Sequence, residues 1–289
     1  MNKSILNSLM AAVLMWAILA CGGLKVGGYD VGKIAQTGAN VISGSQLDEE
    51  QQKVIGMKMA AIILGSSSLH KDDSLQAYVN KVGSWVASQA GSQEKQWQFM
   101  VIDTPDFNAF STPGGYVIIS SGVIDRLSSE AELAGILAHE ISHVAQQHQV
   151  KAIEKSNTYS NWGELAFVAA DANQTRRGGY SKKSMMNTTI AESLFDMTHS
   201  LYTKGLGRDD ELDADIRAVI LTARAGYDPY AYLSVMQLVD SIDNKNKTLL
   251  LATHPKTSTR IGVVAETIEK ISRFSKQTNS LESRFLKET

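Results

Sequence analysis

His139-Glu140-Ile141-Ser142-His143 places two imidazoles four residues apart, with a carboxylate next to the first. On a helix, residues four apart are separated by about 40° and share a face. Both imidazoles can then reach one metal ion at about 2.0–2.1 Å. Glu140 is turned about 100° from His139, so it can stand beside a metal without binding it and take a proton from a metal-bound water. The chain has 6 His and 289 residues, and chance supplies this zinc-protease pattern only about 0.006 times in such a composition.

A catalytic zinc takes three protein ligands and keeps one open position. The third ligand is expected from a second helix. In Arg208-Asp209-Asp210-Glu211-Leu212-Asp213-Ala214-Asp215, Glu211 and Asp215 are again four apart and co-facial. Spacing alone does not choose among these acids, and Asp213 stays open as a ligand. His148 falls about 180° from His139 on a continued helix. It is expected on the surface, as is His70 in a polar helix start. His199 is expected to be structural. His254 precedes Pro255 in an expected loop.

These groups need elements to position them. Ser128–Val150 has the strongest helical pattern, with Ser129 and Glu132 as a capping box and Leu133, Ile136, Leu137, Ile141 and Val144 as an apolar stripe. The histidines lie away from that stripe. Further helices are expected over residues 48–64, 73–90, 209–225, 229–240 and 258–275, with an interrupted one over 156–203 whose basic segment around Arg176 and Lys183 is a solvated loop. Strands are expected over 96–103, 106–111 and 116–120, the last two joined by Pro113-Gly114-Gly115. Asn108, Ala109 and Phe110 read as an edge strand, whose unpaired backbone groups could add a peptide as one more strand.

Composition removes several function classes. A net charge of −2 lacks the concentrated positive charge that nucleic-acid binding needs. With 43% hydrophobic and 20% charged residues, the chain can bury a core. Its single cysteine, Cys21, permits no intrachain disulfide. Leu9–Ala20 is an apolar run of 12 residues behind Lys3, suiting a signal peptide and short of the roughly 20 residues that span a bilayer. Ile18-Leu19-Ala20-Cys21 resembles a bacterial lipobox, which implies diacylation of Cys21. Gly22 after it favours the outer membrane by the same resemblance. The expected organisation is a signal peptide (1–20), a lipidated N-terminus and Gly-rich tether (21–45), and one domain (46–289).

His139–His143 followed about 70 residues later by Glu211-Leu212-Asp213-Ala214-Asp215 resembles the gluzincin zinc metallopeptidase family of HtpX and the CAAX prenyl endopeptidases. Within it, the chain is most similar to periplasmic lipoprotein-type members, without their helical-repeat tail. The resemblance also rests on Asn108-Ala109-Phe110, Pro113-Gly114-Gly115, His254-Pro255-Lys256-Thr257 and Arg260-Ile261. It implies an α+β, mainly helical, zincin-like domain with a small mixed sheet beside the zinc helix. It also implies one Zn2+ per chain bound by His139, His143 and Glu211, with Glu140 as general base and Asp215 orienting a ligand histidine. His254 becomes either a donor to the oxyanion or a removable fourth ligand, and Arg260 joins Asn108, Ala109 and Phe110 as substrate contacts. The implied activity is endopeptidase action on unfolded or misassembled envelope proteins, from a lipid anchor on the periplasmic side of the outer membrane. The rival function is a lipid-anchored chaperone or assembly factor with a latent zinc site. The rival location is soluble periplasmic or secreted.

Overall fold

A computed structural model describes residues 25–26, 29–30, 47, 49–91, 95–155, 194–196, 198–202, 205–243, 254 and 257–272. The expected signal peptide, Cys21, most of the tether and most of the interrupted 156–203 helix lie outside these residues. The chain divides into two compact units, Met1–Gly44 and Ser45–Thr289. In the first, Lys25–Val26 pairs antiparallel with Tyr29–Asp30.

The second unit is α+β and mainly helical. Its elements run α1 (Glu49–Ser66), α2 (Asp73–Ser88), β1 (Gln98–Ile102), β2 (Ala109–Thr112), β3 (Tyr116–Ser120), α3 (Ser121–Ile124), α4 (Glu130–Ala145), α5 (His148–Lys155), α6 (Arg208–Arg224), α7 (Tyr230–Asp243) and α8 (Thr257–Ser272). The sheet order is β1-β3-β2, with β1 parallel and β2 antiparallel to β3. Among the described residues β2 is therefore an edge strand, in register Ala109↔Ile119 through Thr112↔Tyr116. The turn before β3 carries Gly114 and Gly115 at φ of 82° and 102°, a backbone region that favours glycine.

Each site-bearing element has a local cause. Ser129 caps α4, its hydroxyl accepting from Glu132 N at 3.2 Å, while Glu132 Oε2 accepts from Ser128 N at 2.6 Å. This is the expected capping box shifted by one donor. Leu133, Leu137 and Ile141 bury against α2 and the sheet, in one core with Val79, Val82, Phe99, Val117 and Ile119. α4 is buried on the histidine side as well, because α6 and α7 pack over it. Gly135 allows that approach: a β-carbon there would stand 2.9 Å from Tyr232 Cβ.

The expected single helix over 128–150 is two helices. α4 ends at Ala145, Gln147 takes a left-handed φ of 56°, and α5 restarts at His148. Glutamine rarely adopts that conformation, and it turns the chain so that α5 leaves the axis of α4. Within α6, Glu211, Asp213 and Asp215 are buried.

Candidate metal centre

Side chains from α4, α6 and the residue-254 segment converge on one point. The ligand-type atoms of His139, His143, Glu211 and His254 all lie within 4.8 Å of one another, and all four residues are buried. His139 Nε2 is 3.0 Å from His143 Nε2 and 3.3 Å from His254 Nδ1. Glu211 oxygens stand 3.6 Å from His139 Nε2, 3.5 Å from His143 Nε2 and 2.9 Å from His254 Nδ1. Four ligands at 2.0–2.1 Å around one tetrahedral ion are about 3.3–3.4 Å apart. Three imidazoles and a carboxylate form a nitrogen and oxygen donor set suited to zinc.

The surroundings test that fit. Tyr232 Oη donates to Asp215 Oδ1 at 2.7 Å. His139 Nδ1 lies 2.9 Å from Tyr232 Oη and 3.1 Å from Asp215 Oδ1. Facing a carboxylate, Nδ1 must carry a proton, so the neutral ring turns its Nε2 lone pair toward His143. Two imidazole nitrogens aimed at each other at 3.0 Å require a proton or a cation between them. In the metal-free chain a proton meets that need. Burial opposes charge on His139, but Asp215 and Glu211 outweigh it and lift its pKa to about 9. Burial, together with the neighbouring histidines, holds His143 well below its usual value despite Glu211.

Arg260, 5% exposed, neutralises the acids. Its Nε and Nη2 each donate to Asp215 at 2.7 Å. Its Nη1 stands 3.0 Å from Glu211 Oε2 and donates to the His254 carbonyl at 3.1 Å. Burial raises the Asp215 pKa, but Arg260 and His139 overcome this and bring it to about 2. Glu211 is likewise held well below the carboxylate range, His254 and Arg260 outweighing its burial. Both acids are anions at neutral pH. Arg260, expected at the substrate, stands against Glu211, Asp215 and His254, where these contacts occupy its guanidinium.

Glu140 points beside the cluster rather than into it. Ser111 Oγ donates to Glu140 Oε2 at 2.8 Å, and Gln149 Nε2 donates to Ser111 Oγ at 2.8 Å. His254 Nε2 is 3.5 Å from Glu140 Oε1. Two small clefts meet at Glu140 and His254. One has walls of Ala109, Ile136, Val235, Met236 and Val239. The other runs past Phe110, Ser111, Thr112 and Tyr202. Ala109 thus lines one cleft and Phe110 the other, and Glu140 lines both. Asn108 is buried, its Nδ2 donating to Tyr202 Oη at 3.1 Å.

Among the remaining residues singled out in the sequence, His148 departs from its expected place. Asp213 is not part of the cluster; it faces Arg217 at 2.8 Å and His148 Nε2 at 3.4 Å. His148 is 2% exposed rather than on the surface, because the break at Gln147 turns it back toward α4, where its Nδ1 lies 2.9 Å from His143 Nδ1. Tyr232, Ser111 and Gln149 had no spacing signal, since each reaches the site only through tertiary packing. His70 and His199 lie outside the cluster. His70 Nδ1 accepts from Asp72 N at 3.3 Å, and the exposed His199 stacks on Phe195 with ring centroids 6.2 Å apart.

The chain resembles several proteins with peptidase names. It is 28% identical over 224 residues to the beta-barrel assembly-enhancing protease of Escherichia coli O157:H7, covering 76% of this chain and 44% of that protein. Metalloprotease YcaL of Escherichia coli K12 is 23% identical over 256 residues, 88% of this chain and 94% of YcaL. The mitochondrial metalloendopeptidase OMA1 of Schizosaccharomyces pombe is 27% identical over 195 residues, 65% of this chain and 52% of OMA1. The chain spans about half the length of the beta-barrel assembly-enhancing proteases it matches. The model of peptidase family M48 matches residues 73–268, more than half of the sequence and inclusive of every residue of the cluster. With its zincin-like arrangement of a histidine helix crossed by an acidic one, the chain belongs to peptidase family M48.

Proposed function

We propose that this protein is a zinc metalloendopeptidase, holding one Zn2+ through His139, His143 and Glu211 and cutting unfolded or misassembled envelope proteins. The observation that carries the reading is the convergence of two Nε2 atoms and a buried carboxylate on one point beside Glu140. Zinc bound there lowers the pKa of a water toward about 7 and polarises a carbonyl. Glu140 takes the proton of the attacking water and passes it to the leaving amine. Ser111, held by Gln149, fixes the carboxylate of Glu140 for that exchange. Asp215 and Tyr232 hold His139 in the ligating tautomer. Arg260 acts as a positioning residue for Asp215, Glu211 and His254 rather than as a substrate contact.

The two clefts that meet at Glu140 support an extended polypeptide substrate. The edge strand β2 offers backbone pairing at Ala109 and Phe110. The apolar walls of the first cleft favour the aliphatic side chains that unfolded proteins expose. The name of the beta-barrel assembly-enhancing relatives supports an envelope substrate, and the Leu9–Cys21 segment supports a lipid anchor at Cys21 on the periplasmic side of the outer membrane. Among the described residues, no helix is long and apolar enough to cross a membrane.

A second reading has a specific observation behind it. His254 Nδ1 sits 2.9 Å from both Glu211 oxygens, where it would compete with water for a metal held by the cluster. In this closed arrangement the chain serves as an assembly factor with a latent site, and turnover requires His254 to withdraw. Cleavage of an unfolded outer-membrane protein by the wild type and by Glu140→Gln, with metal content measured on both, tests the main reading. The expected result is retained zinc and a loss of about 10²–10⁴-fold in rate. Equal turnover by the variant overturns it.

A further inference from the structure

We infer that His148 is a positioning residue for the metal centre: with Asp213 behind it, it fixes the tautomer of His143 as Asp215 fixes that of His139. The inference rests on the proposed role of His143 as a ligand. His143 Nδ1 and His148 Nδ1 are 2.9 Å apart, and both rings are buried, 0% and 2% exposed. One of these nitrogens donates and the other accepts. If His148 Nδ1 donated, His143 would carry its proton on Nε2 and could not bind a metal there.

The acids on α6 decide the direction. His148 Nε2 faces Asp213 Oδ2 at 3.4 Å and Asp210 Oδ1 at 3.8 Å. Carboxylates accept, so Nε2 of His148 keeps the proton and Nδ1 keeps its lone pair. His143 Nδ1–H then donates to that lone pair, leaving His143 Nε2 aimed at His139 Nε2 and Glu211. Arg217 Nε, donating to Asp213 Oδ2 at 2.8 Å, anchors the far end of the chain of contacts. α6 therefore supports the site three times: Glu211 in the cluster, Asp215 behind His139, and Asp213 behind His143 through a second imidazole.

The test is zinc affinity of the full-length chain, measured by competition with a chromophoric chelator, for wild type, His148→Leu, His148→Asn and Asp213→Ala. Asn places a carbonyl as far from Cβ as Nδ1 of His and so can accept from His143, whereas Leu fills the space and accepts nothing. His148→Leu is expected to bind zinc about 10–100-fold more weakly than wild type, with Asn recovering most of the loss and Asp213→Ala shifting in the same direction. Equal affinity of Leu and wild type, or equal weakening by Leu and Asn, overturns the inference. Should His148→Leu fail to fold, unchanged affinity in Asp213→Ala overturns it. A wild type that binds no zinc overturns the metal reading itself, a result distinct from the others.

Discussion

Asp215 and Arg260 meet through two hydrogen bonds of 2.7 Å, both side chains buried behind the cluster of His139, His143, Glu211 and His254. Such a pair is costly to break from one side, because the remaining charge stays buried without its partner. Asp215→Ala is expected to destabilise the metal-free chain by about 3–5 kcal/mol, with Glu211 at 3.0 Å from Arg260 holding the loss toward the lower end. Denaturant unfolding measures this, and a loss below about 1 kcal/mol would place the pair outside the cooperative core.

The metal-free protein should also lose stability in mild alkali. His139 has its pKa raised to about 9 by Asp215 and Glu211, against about 6.5 in an unfolded chain. A raised folded pKa stabilises fully below the unfolded value, and the contribution disappears as pH climbs through the folded one. The stability difference between wild type and His139→Gln should therefore shrink from pH 6 to pH 9.5. A difference that is constant over that range contradicts the assignment.

His254 gives a prediction of opposite sign to most active-site substitutions. Its Nδ1 lies beside both Glu211 oxygens and its Nε2 near Glu140. His254→Ala should keep the metal and raise peptidase activity, because His254 would no longer compete with water beside Glu211 and Glu140. Initial rates on an unfolded substrate decide this. A fall in rate with metal retained makes His254 a transition-state donor instead.

The apolar cleft lined by Val235, Met236 and Val239 should set side-chain preference. Val235→Phe narrows it, so cleavage next to large aliphatic residues should fall by about 10-fold or more while cleavage next to small ones persists. Peptide-library profiling reads this directly. An unchanged profile would remove the cleft from the substrate path.

Much of the positioning machinery was legible in the residues themselves. The stripe and cap of α4 specify a helix, and four-residue spacing on a helix is enough to bring His139 and His143 to one point. β3 was readable to the residue, since Tyr116–Ser120 is a continuous buried run after a Gly-Gly turn. His148 was not readable, because a helical wheel assumes one axis and Gln147 breaks it with a left-handed residue that has no glycine to announce it. The choice of Glu211 over Asp213 needed the resemblance, since both stand on one acidic turn and only packing against α4 separates them. Arg260 reads as a cation available to substrate until its partners are seen. Tyr232 and Ser111 reach the centre from distant segments, and local pattern carries no information about such contacts.

His139, His143 and Glu211 are proposed to grip one divalent ion. The most direct measurement is a zinc-replete crystal structure with anomalous data at the zinc edge. One peak within about 2.0–2.2 Å of Nε2 of His139, Nε2 of His143 and a Glu211 oxygen is the result expected here. A peak held by other residues, or those side chains turned away from one another in the zinc-replete protein, would contradict it.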